Sequence, residues 1–284
     1  MITYSTCVFC GRNDSPRTRE HVIADWIARE FPDPKWTRIT PNTGKRIPFK
    51  NSLGLVLKKV CKRCNTGWMR ELESSVKPIL RPLIHAHRGI NLSLANQWLI
   101  ATWYFKTASA YDVVEQSKRP CFFSPDERRA LESSQSLPFE CRISLAQYRG
   151  TMGHVFMLES YISPDSQNHF PDSHGYAITF VIKHVALQVF IYRRGKDLRG
   201  KTLDFVLAPA WQSASFQIWP PVHDVINWPP PRLLDNAGLI AFANRWGGMN
   251  LLVSWFFLYH RAGLLTVRRT LPVVRQVYWR PNLR

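Results

Sequence analysis

Two Cys-x-x-Cys pairs constrain the fold of this chain more than any other feature of its sequence. They are Cys7-Val-Phe-Cys10 and Cys61-Lys-Arg-Cys64. The two-residue spacer lets both thiolates of a pair reach adjacent corners of a tetrahedron, and two such pairs close a four-sulfur zinc site. Gly11 follows the first pair, where the backbone must turn back on itself. The sequence therefore predicts a structural zinc ion bound by Cys7, Cys10, Cys61 and Cys64.

The charge of the chain predicts a polyanionic partner. Its 284 residues include 38 Lys and Arg against 20 Asp and Glu, a net charge of +18. The excess lies at both ends: residues 1–90 hold 17 basic and 7 acidic residues, residues 232–284 hold 8 and 1, and residues 91–231 are close to neutral. A basic block interleaved with cysteines favours nucleic-acid binding over a basic surface that is only solvated.

The sequence predicts neither a secretory signal nor a membrane span. The N-terminus has no basic region followed by an apolar run. The longest apolar stretch, Met249–Tyr259, contains Asn250 and Ser254 and is too short to cross a bilayer. Without a signal, six cysteines indicate metal binding before disulfides. We therefore expect a cytoplasmic protein that has no membrane partner.

A short motif with known chemistry lies between the cysteine pairs. It reads Arg19-Glu20-His21-Val22-Ile23, and Asn65 directly follows Cys64. Combined with the two pairs, this pattern resembles the HNH (His-Me finger) nucleases, in particular the zinc-stabilised endonuclease VII branch. The resemblance covers about residues 5–75. The run Cys64-Asn65-Thr66-Gly67-Trp68-Met69 also resembles a group of prokaryotic HNH-type proteins.

The resemblance implies a ββα-metal site with a role for each matching residue. His21 would be the general base that deprotonates the attacking water, and an imidazole suits this role because its pKa lies near neutrality. Glu20 and Asn65 would supply oxygen ligands to one catalytic divalent cation, Mg²⁺ or Mn²⁺. The zinc would hold the two loops in place and take no part in the chemistry.

The sequence departs from the family pattern at three positions. Glu20 stands where Asp is commoner, and Asn65 stands where the motif is named for His. The apolar run Leu55-Val56-Leu57 occupies the middle polar position, so Asn51 is the nearest amide that could orient His21.

Each site residue also has an inert interpretation. Glu20 and His21 could be exposed positions of a helix that begins at Thr18. Asn65 could cap a helix that begins near Thr66, because Asn is a preferred N-cap. The placement of these residues relative to the two cysteine pairs favours the catalytic interpretation.

Three further residues could bind a metal ion. Glu73 precedes Pro78 and Pro82, which predict that its helix ends near a bend. A solvated helix face is favoured for Glu73 over a role as a distant ligand. His85 and His87 form a His-x-His pair and are expected on the surface.

The rest of the chain predicts helices followed by antiparallel strands. Residues 91–117 have the apolar spacing of a long buried helix. A second helix is predicted to begin at Ser124-Pro125-Asp126-Glu127, which combines an N-cap with Pro at the first position and Glu at the third. From residue 138 the period changes to two, which predicts strands that include Tyr176–Ile182, Val185–Tyr192, Thr202–Leu207 and Ser215–Trp219.

These elements predict an α+β fold with three parts. A zinc-bound ββα-metal (HNH) nuclease domain spans 1–90, and a helix-plus-antiparallel-sheet domain of unknown role spans 91–231. The segment 232–284 is basic and rich in aromatic residues. It could contact nucleic acid, a protein partner or a second copy of the chain.

The leading functional prediction is a metal-dependent HNH endonuclease that hydrolyses phosphodiester bonds, in DNA more than in RNA. A role in prokaryotic or phage defence is typical of such proteins. The alternative is a non-catalytic zinc module that binds nucleic acid as a regulator or adaptor. A third interpretation is an inactive relative whose basic surface binds a protein.

Overall fold

The computed structural model describes residues 4–31, 36–39, 46–48, 55–114, 121–138, 140–151, 155–162, 175–192, 209–245 and 278–281. The predicted strand Thr202–Leu207 and the Asn51 side chain lie outside these residues. So does almost all of the predicted C-terminal segment after residue 245.

Two antiparallel strands and a helical segment surround the cysteine pairs. In chain order, the elements up to residue 84 are β1 (Arg17–His21), α1 (Asp25–Glu30), β2 (Trp36–Ile39), β3 (Arg46–Pro48), β4 (Val56–Cys61), α2 (Lys62–Cys64), a π-helical segment (Asn65–Met69) and α3 (Arg70–Ile84). Strand β1 pairs with β4, and the register shifts between Thr18 and Glu20. Such a shift redirects the side chains beside it.

Helix α3 runs through the two prolines that predicted its end. Pro78 and Pro82 both lie inside it, and the helix ends at Ile84. Its buried apolar side chains recur at helical spacing, and these are Leu72, Val76, Leu80 and Leu83. Burial of this stripe outweighs the backbone hydrogen bonds that the prolines cannot make.

The longest helix, α4 (Leu94–Val114), follows strand β5 (Ile90–Ser93) and is buried on every side from Ile100 to Val113. Helix α5 (Pro125–Ser134) begins as predicted. The Ser124 hydroxyl accepts a hydrogen bond from the Glu127 N–H at 3.2 Å, and the Glu127 carboxylate accepts one from the Ser124 N–H at 2.7 Å.

Five antiparallel strands form the main sheet. They are β6 (Cys141–Gln147), β7 (Val155–Ile162), β8 (Gly175–Ile182), β9 (Val185–Tyr192) and β10 (Ser215–Trp219), in the spatial order β10-β6-β9-β8-β7. The predicted strands Tyr176–Ile182 and Val185–Tyr192 are confirmed, and they form a hairpin in which β8 and β9 pair around Lys183, which has a φ of 49°. Every residue of β8 is buried, so this strand is covered on both faces.

The remaining elements lie beside this sheet or join distant parts of the chain. They are α6 (Pro209–Gln212), β11 (Val225–Trp228), α7 (Asn236–Asn244) and β12 (Tyr278–Pro281). Strand β11 pairs with β5, and β12 pairs with β2.

A continuous hydrophobic core joins the cysteine pairs, α3, α4 and the main sheet. The predicted α+β class with antiparallel sheets is confirmed. In the part of the chain that the structure describes, no helix has the length and apolar character needed to cross a membrane.

Candidate functional site

The four predicted zinc ligands come together at one point. Their sulfur atoms all lie within 4.8 Å of one another. Cys7 Sγ is 4.0 Å from Cys64 Sγ, and Cys10 Sγ is 3.6 Å from Cys61 Sγ. Tetrahedral zinc with Zn–S bonds of about 2.3 Å places its sulfurs about 3.8 Å apart. The cluster could therefore hold a metal ion such as zinc, and all four cysteines are free of disulfides.

Backbone hydrogen bonds shape the two cysteine turns. Gly11 has a φ of +71°, and its N–H donates to the Cys7 carbonyl at 3.0 Å. The Cys61 N–H donates to Cys7 Sγ at 3.4 Å. Such N–H donors stabilise a thiolate, as metal ligation requires. From outside the cluster, Arg128 Nε donates to the Val8 carbonyl at 2.9 Å, so α5 supports the first turn.

The proton affinities of the sulfurs also favour a cation. A hydrogen bond from the Cys64 thiol, helped by backbone N–H donors, lowers the pKa of Cys7 to about 4. The same contact raises the pKa of Cys64, because its proton is held between two sulfurs. The cluster therefore already stabilises one negative charge, and a bound metal ion would replace the remaining protons.

An open cavity of about 220 Å³ lies at the end of β1, against the π-helical segment and the first turns of α3. All three predicted catalytic residues, His21, Glu20 and Asn65, line it. Its other lining residues are Arg19, Asp25, Thr66, Met69, Arg70 and Glu73.

His21 is the last residue of β1 and is exposed, so its imidazole is open to solvent. Asn65 is held against the same strand. Its Nδ2 donates to Thr18 Oγ1 at 2.9 Å and to the Arg19 carbonyl at 3.4 Å. These bonds use the amide nitrogen and leave Oδ1 as the atom that could bind a cation.

The structure contradicts the two helical arrangements in which the inert interpretations were framed. Glu20 and His21 lie on a strand, and no helix begins at Thr18. Asn65 has helical dihedral angles and lies within the helical segment, whose N-cap position is Cys61. The interpretation of Asn65 as a cap therefore fails, and its side chain instead joins the helical segment to β1.

Glu20 is buried and has a partner that the sequence analysis missed. Lys106 Nζ, from the middle of α4, lies 2.9 Å from Glu20 Oε1 and 2.9 Å from Glu73 Oε1. Glu73 thus belongs to the cavity rather than to a solvated helix face. The sequence could have indicated this pairing, because Lys106 is a single lysine in an apolar helix and a buried ammonium needs carboxylates close to it.

The charges in this cluster are strongly coupled. Burial alone would lower the pKa of Lys106, but the two carboxylates raise it above its ordinary value of 10.5. Lys106 therefore stays protonated, and its positive charge faces two carboxyl groups. Carboxylate oxygens and the Asn65 amide oxygen form a donor set that suits a hard cation such as Mg²⁺ or Mn²⁺.

His85 lies on the surface as predicted, and its side chain pairs with Glu30 outside the cavity. Its Nε2 is 2.9 Å from Glu30 Oε2, and Arg81 Nε is 2.7 Å from Glu30 Oε1. Within the described residues, the four cysteines are the only cluster of three or more Cys, His, Asp or Glu side chains close enough to bind one metal ion together.

Comparison with protein-family models, with curated proteins and with solved structures finds no match. The interpretation of the site therefore depends on its own residues.

Proposed function

We propose that this protein is a metal-dependent endonuclease of the HNH type that hydrolyses phosphodiester bonds, in DNA more than in RNA. The observation that carries the proposal is the convergence of His21 and Asn65, far apart in the chain, on one open cavity beside Glu20. The order of elements supports it, since β1 and β4 are antiparallel and lead into the helix that carries Asn65.

In this proposal His21 acts as the general base. Its exposed imidazole at the end of β1 can accept a proton from a water molecule in the cavity. Glu20 and Asn65 would hold Mg²⁺ or Mn²⁺, which would supply Lewis-acid stabilisation of the scissile phosphate. The hydrogen bonds from Asn65 to Thr18 and Arg19 hold Nδ2 against β1, and Oδ1 takes no part in either bond.

The zinc ion in this proposal is structural. Cys64 directly precedes Asn65, and Cys61 ends the strand that pairs with β1. A metal ion bound to these sulfurs would therefore fix the position of the Asn65 amide against β1. This arrangement separates the structural metal from the catalytic one.

Exposed cations around the cavity support a nucleic-acid substrate. Arg19 and Arg70 line the cavity itself. Further exposed basic side chains flank the second cysteine pair, and these are Lys58, Lys59, Lys62 and Arg63. Cations next to a hydrolytic site attract and position phosphates. The proposed role in prokaryotic or phage defence and the cytoplasmic location rest on the sequence analysis alone.

The test is cleavage of plasmid DNA in Mg²⁺ or Mn²⁺ by the zinc-loaded protein. His21→Ala should lower the cleavage rate about 100-fold or more, which is the usual effect of losing a general base. Asn65→Ala should also lower it. The matched control is His87→Ala, which removes an exposed imidazole outside the cavity and should leave the rate unchanged. Equal cleavage by wild type, His21→Ala and Asn65→Ala would reject the proposed site.

A second candidate function is a non-catalytic zinc module that binds nucleic acid. The observation that favours it is the bond between Glu20 Oε1 and Lys106, which already occupies one oxygen of the proposed cation ligand. This candidate predicts salt-sensitive DNA binding without cleavage, and binding that His21→Ala does not change.

A further inference from the structure

Lys106 is fully buried, and burial of a charged lysine costs solvation free energy. Its side chain has no exposed surface, and its neighbours along α4 are all buried. A buried ammonium is tolerated only when carboxylates pair with it closely. Lys106 meets this condition with two carboxylates from two different elements, Glu20 on β1 and Glu73 on α3.

Lys106 bonds to only one oxygen atom of each carboxylate. Nζ is 2.9 Å from Oε1 of Glu20 and 2.9 Å from Oε1 of Glu73. The two Oε1 atoms therefore lie within twice that distance of each other. Each carboxylate has a second oxygen, Oε2, which takes no part in these two bonds, and both residues line the cavity that contains His21.

Without the ammonium, two carboxylates held this close would repel each other. Repulsion would turn one or both side chains away, since Glu73 is 25% exposed and can move toward solvent. The lysine therefore keeps the two carboxylates together, as a cation bound between them would.

We propose that Lys106 is a positioning residue of the proposed nuclease site, holding Glu20 and Glu73 so that their second oxygens, together with Asn65, bind one divalent cation. This inference rests on the proposed function. It adds Glu73 as a ligand and makes the site depend on α4.

The experiment measures binding of Mn²⁺ to the full-length, zinc-loaded protein by electron paramagnetic resonance of the free ion. Glu73→Gln keeps the shape of the side chain and removes one carboxylate. It should weaken Mn²⁺ binding about tenfold or more, the range seen when a ligand or its supporting group is lost. The matched control is Glu71→Gln, an exposed position on the same helix outside the cavity, which should bind Mn²⁺ as the wild type does.

Lys106→Met tests the positioning role directly. It should weaken Mn²⁺ binding and raise the Mn²⁺ concentration needed for half-maximal plasmid cleavage, whereas cleavage at saturating Mn²⁺ should recover in part. A purely structural ion pair would lower the melting temperature and leave the Mn²⁺ dependence unchanged. If Lys106→Met does not fold, Glu73→Gln decides, because it retains the bond between Lys106 and Glu20.

The outcomes for the two proposals are distinguishable. Absence of cleavage by the wild type contradicts the proposed function. Wild-type cleavage combined with unchanged Mn²⁺ affinity in Glu73→Gln overturns the inference about Lys106 and leaves the proposed function in place.

Discussion

The hydroxyl of Tyr104 ties α4 to the main sheet through two hydrogen bonds. It donates to the Ile178 carbonyl at 2.8 Å and accepts from the Phe180 N–H at 2.9 Å, and the residue is completely buried. Tyr104→Phe leaves both backbone groups without this partner. We expect a loss of about 1–3 kcal/mol in the free energy of unfolding, measured by chemical denaturation. Tyr4→Phe, at an exposed tyrosine, should cost much less.

The difference in the free energy of unfolding between wild type and Tyr104→Phe should depend on pH. Burial raises the pKa of Tyr104 well above its ordinary value of 10. The unfolded chain therefore ionises at a lower pH than the folded one, so the stability that Tyr104 contributes is present below pH 10 and is lost as the pH rises above it. The difference between wild type and Tyr104→Phe should narrow between about pH 8 and about pH 11. A difference that stays constant over this pH range would contradict a raised pKa of Tyr104 in the folded protein.

At the scale of single residues, the sequence predicted three of the residues that line the cavity but not the lysine that pairs with two of its carboxylates. Short spacings relative to the cysteines were enough to bring His21 and Asn65 to one place. Lys106 could not be identified as their neighbour, because its position depends on how α4 packs against β1 and α3. That packing is decided by contacts between elements far apart in the chain.

At the scale of elements, the capping box of α5 has a measurable effect. Ser124→Ala removes the acceptor for the Glu127 N–H and should cost about 1 kcal/mol of stability. The effect should extend beyond the helix, since Arg128 on α5 bonds to Val8 in the first cysteine turn. The control is Ser133→Ala, an exposed position late in the same helix, which should be neutral or slightly stabilising. Similar unfolding midpoints for both variants would show that the cap contributes nothing.

Local signals predicted the elements well where local chemistry determines them. The start of α5 follows from Ser124 and Glu127, and the hairpin of β8 and β9 follows from two alternating runs around Lys183. Local signals failed at Pro78 and Pro82, where burial of an apolar stripe keeps α3 continuous. They also failed to predict that β8 is covered on both faces, which depends on helices from other parts of the chain.

At the scale of the whole molecule, the proposed site is assembled from both sides of the predicted boundary at residue 90. Lys106 on α4 pairs with Glu20 and Glu73, and Arg128 on α5 supports the first cysteine turn. The division into domains 1–90 and 91–231 stays a prediction. Because of these contacts, we expect the structure of the first ninety residues to depend on α4 and α5.

Removal of the metal tests whether the four clustered cysteines bind a structural zinc ion. The wild-type protein should contain one zinc ion per chain by elemental analysis. Chelation under reducing conditions should lower the melting temperature by about 10 °C or more, because binding of a structural zinc contributes directly to folding. Cys61→Ser should lose zinc, whereas Cys121→Ser, outside the cluster, should retain it. Zinc content that is unchanged in Cys61→Ser would contradict the four-sulfur site.

Removal of zinc should abolish DNA cleavage before it unfolds the main sheet. The five-stranded sheet has its own buried strands and contains none of the four clustered cysteines, so its far-ultraviolet circular dichroism should persist after zinc is removed. DNA cleavage should be lost first, because Cys64 and Cys61 no longer fix Asn65 opposite β1. Restoring zinc should restore cleavage, and added Mg²⁺ or Mn²⁺ alone should not. Cleavage that survives chelation at full rate would show that the arrangement of His21 and Asn65 does not depend on the metal at the cysteines.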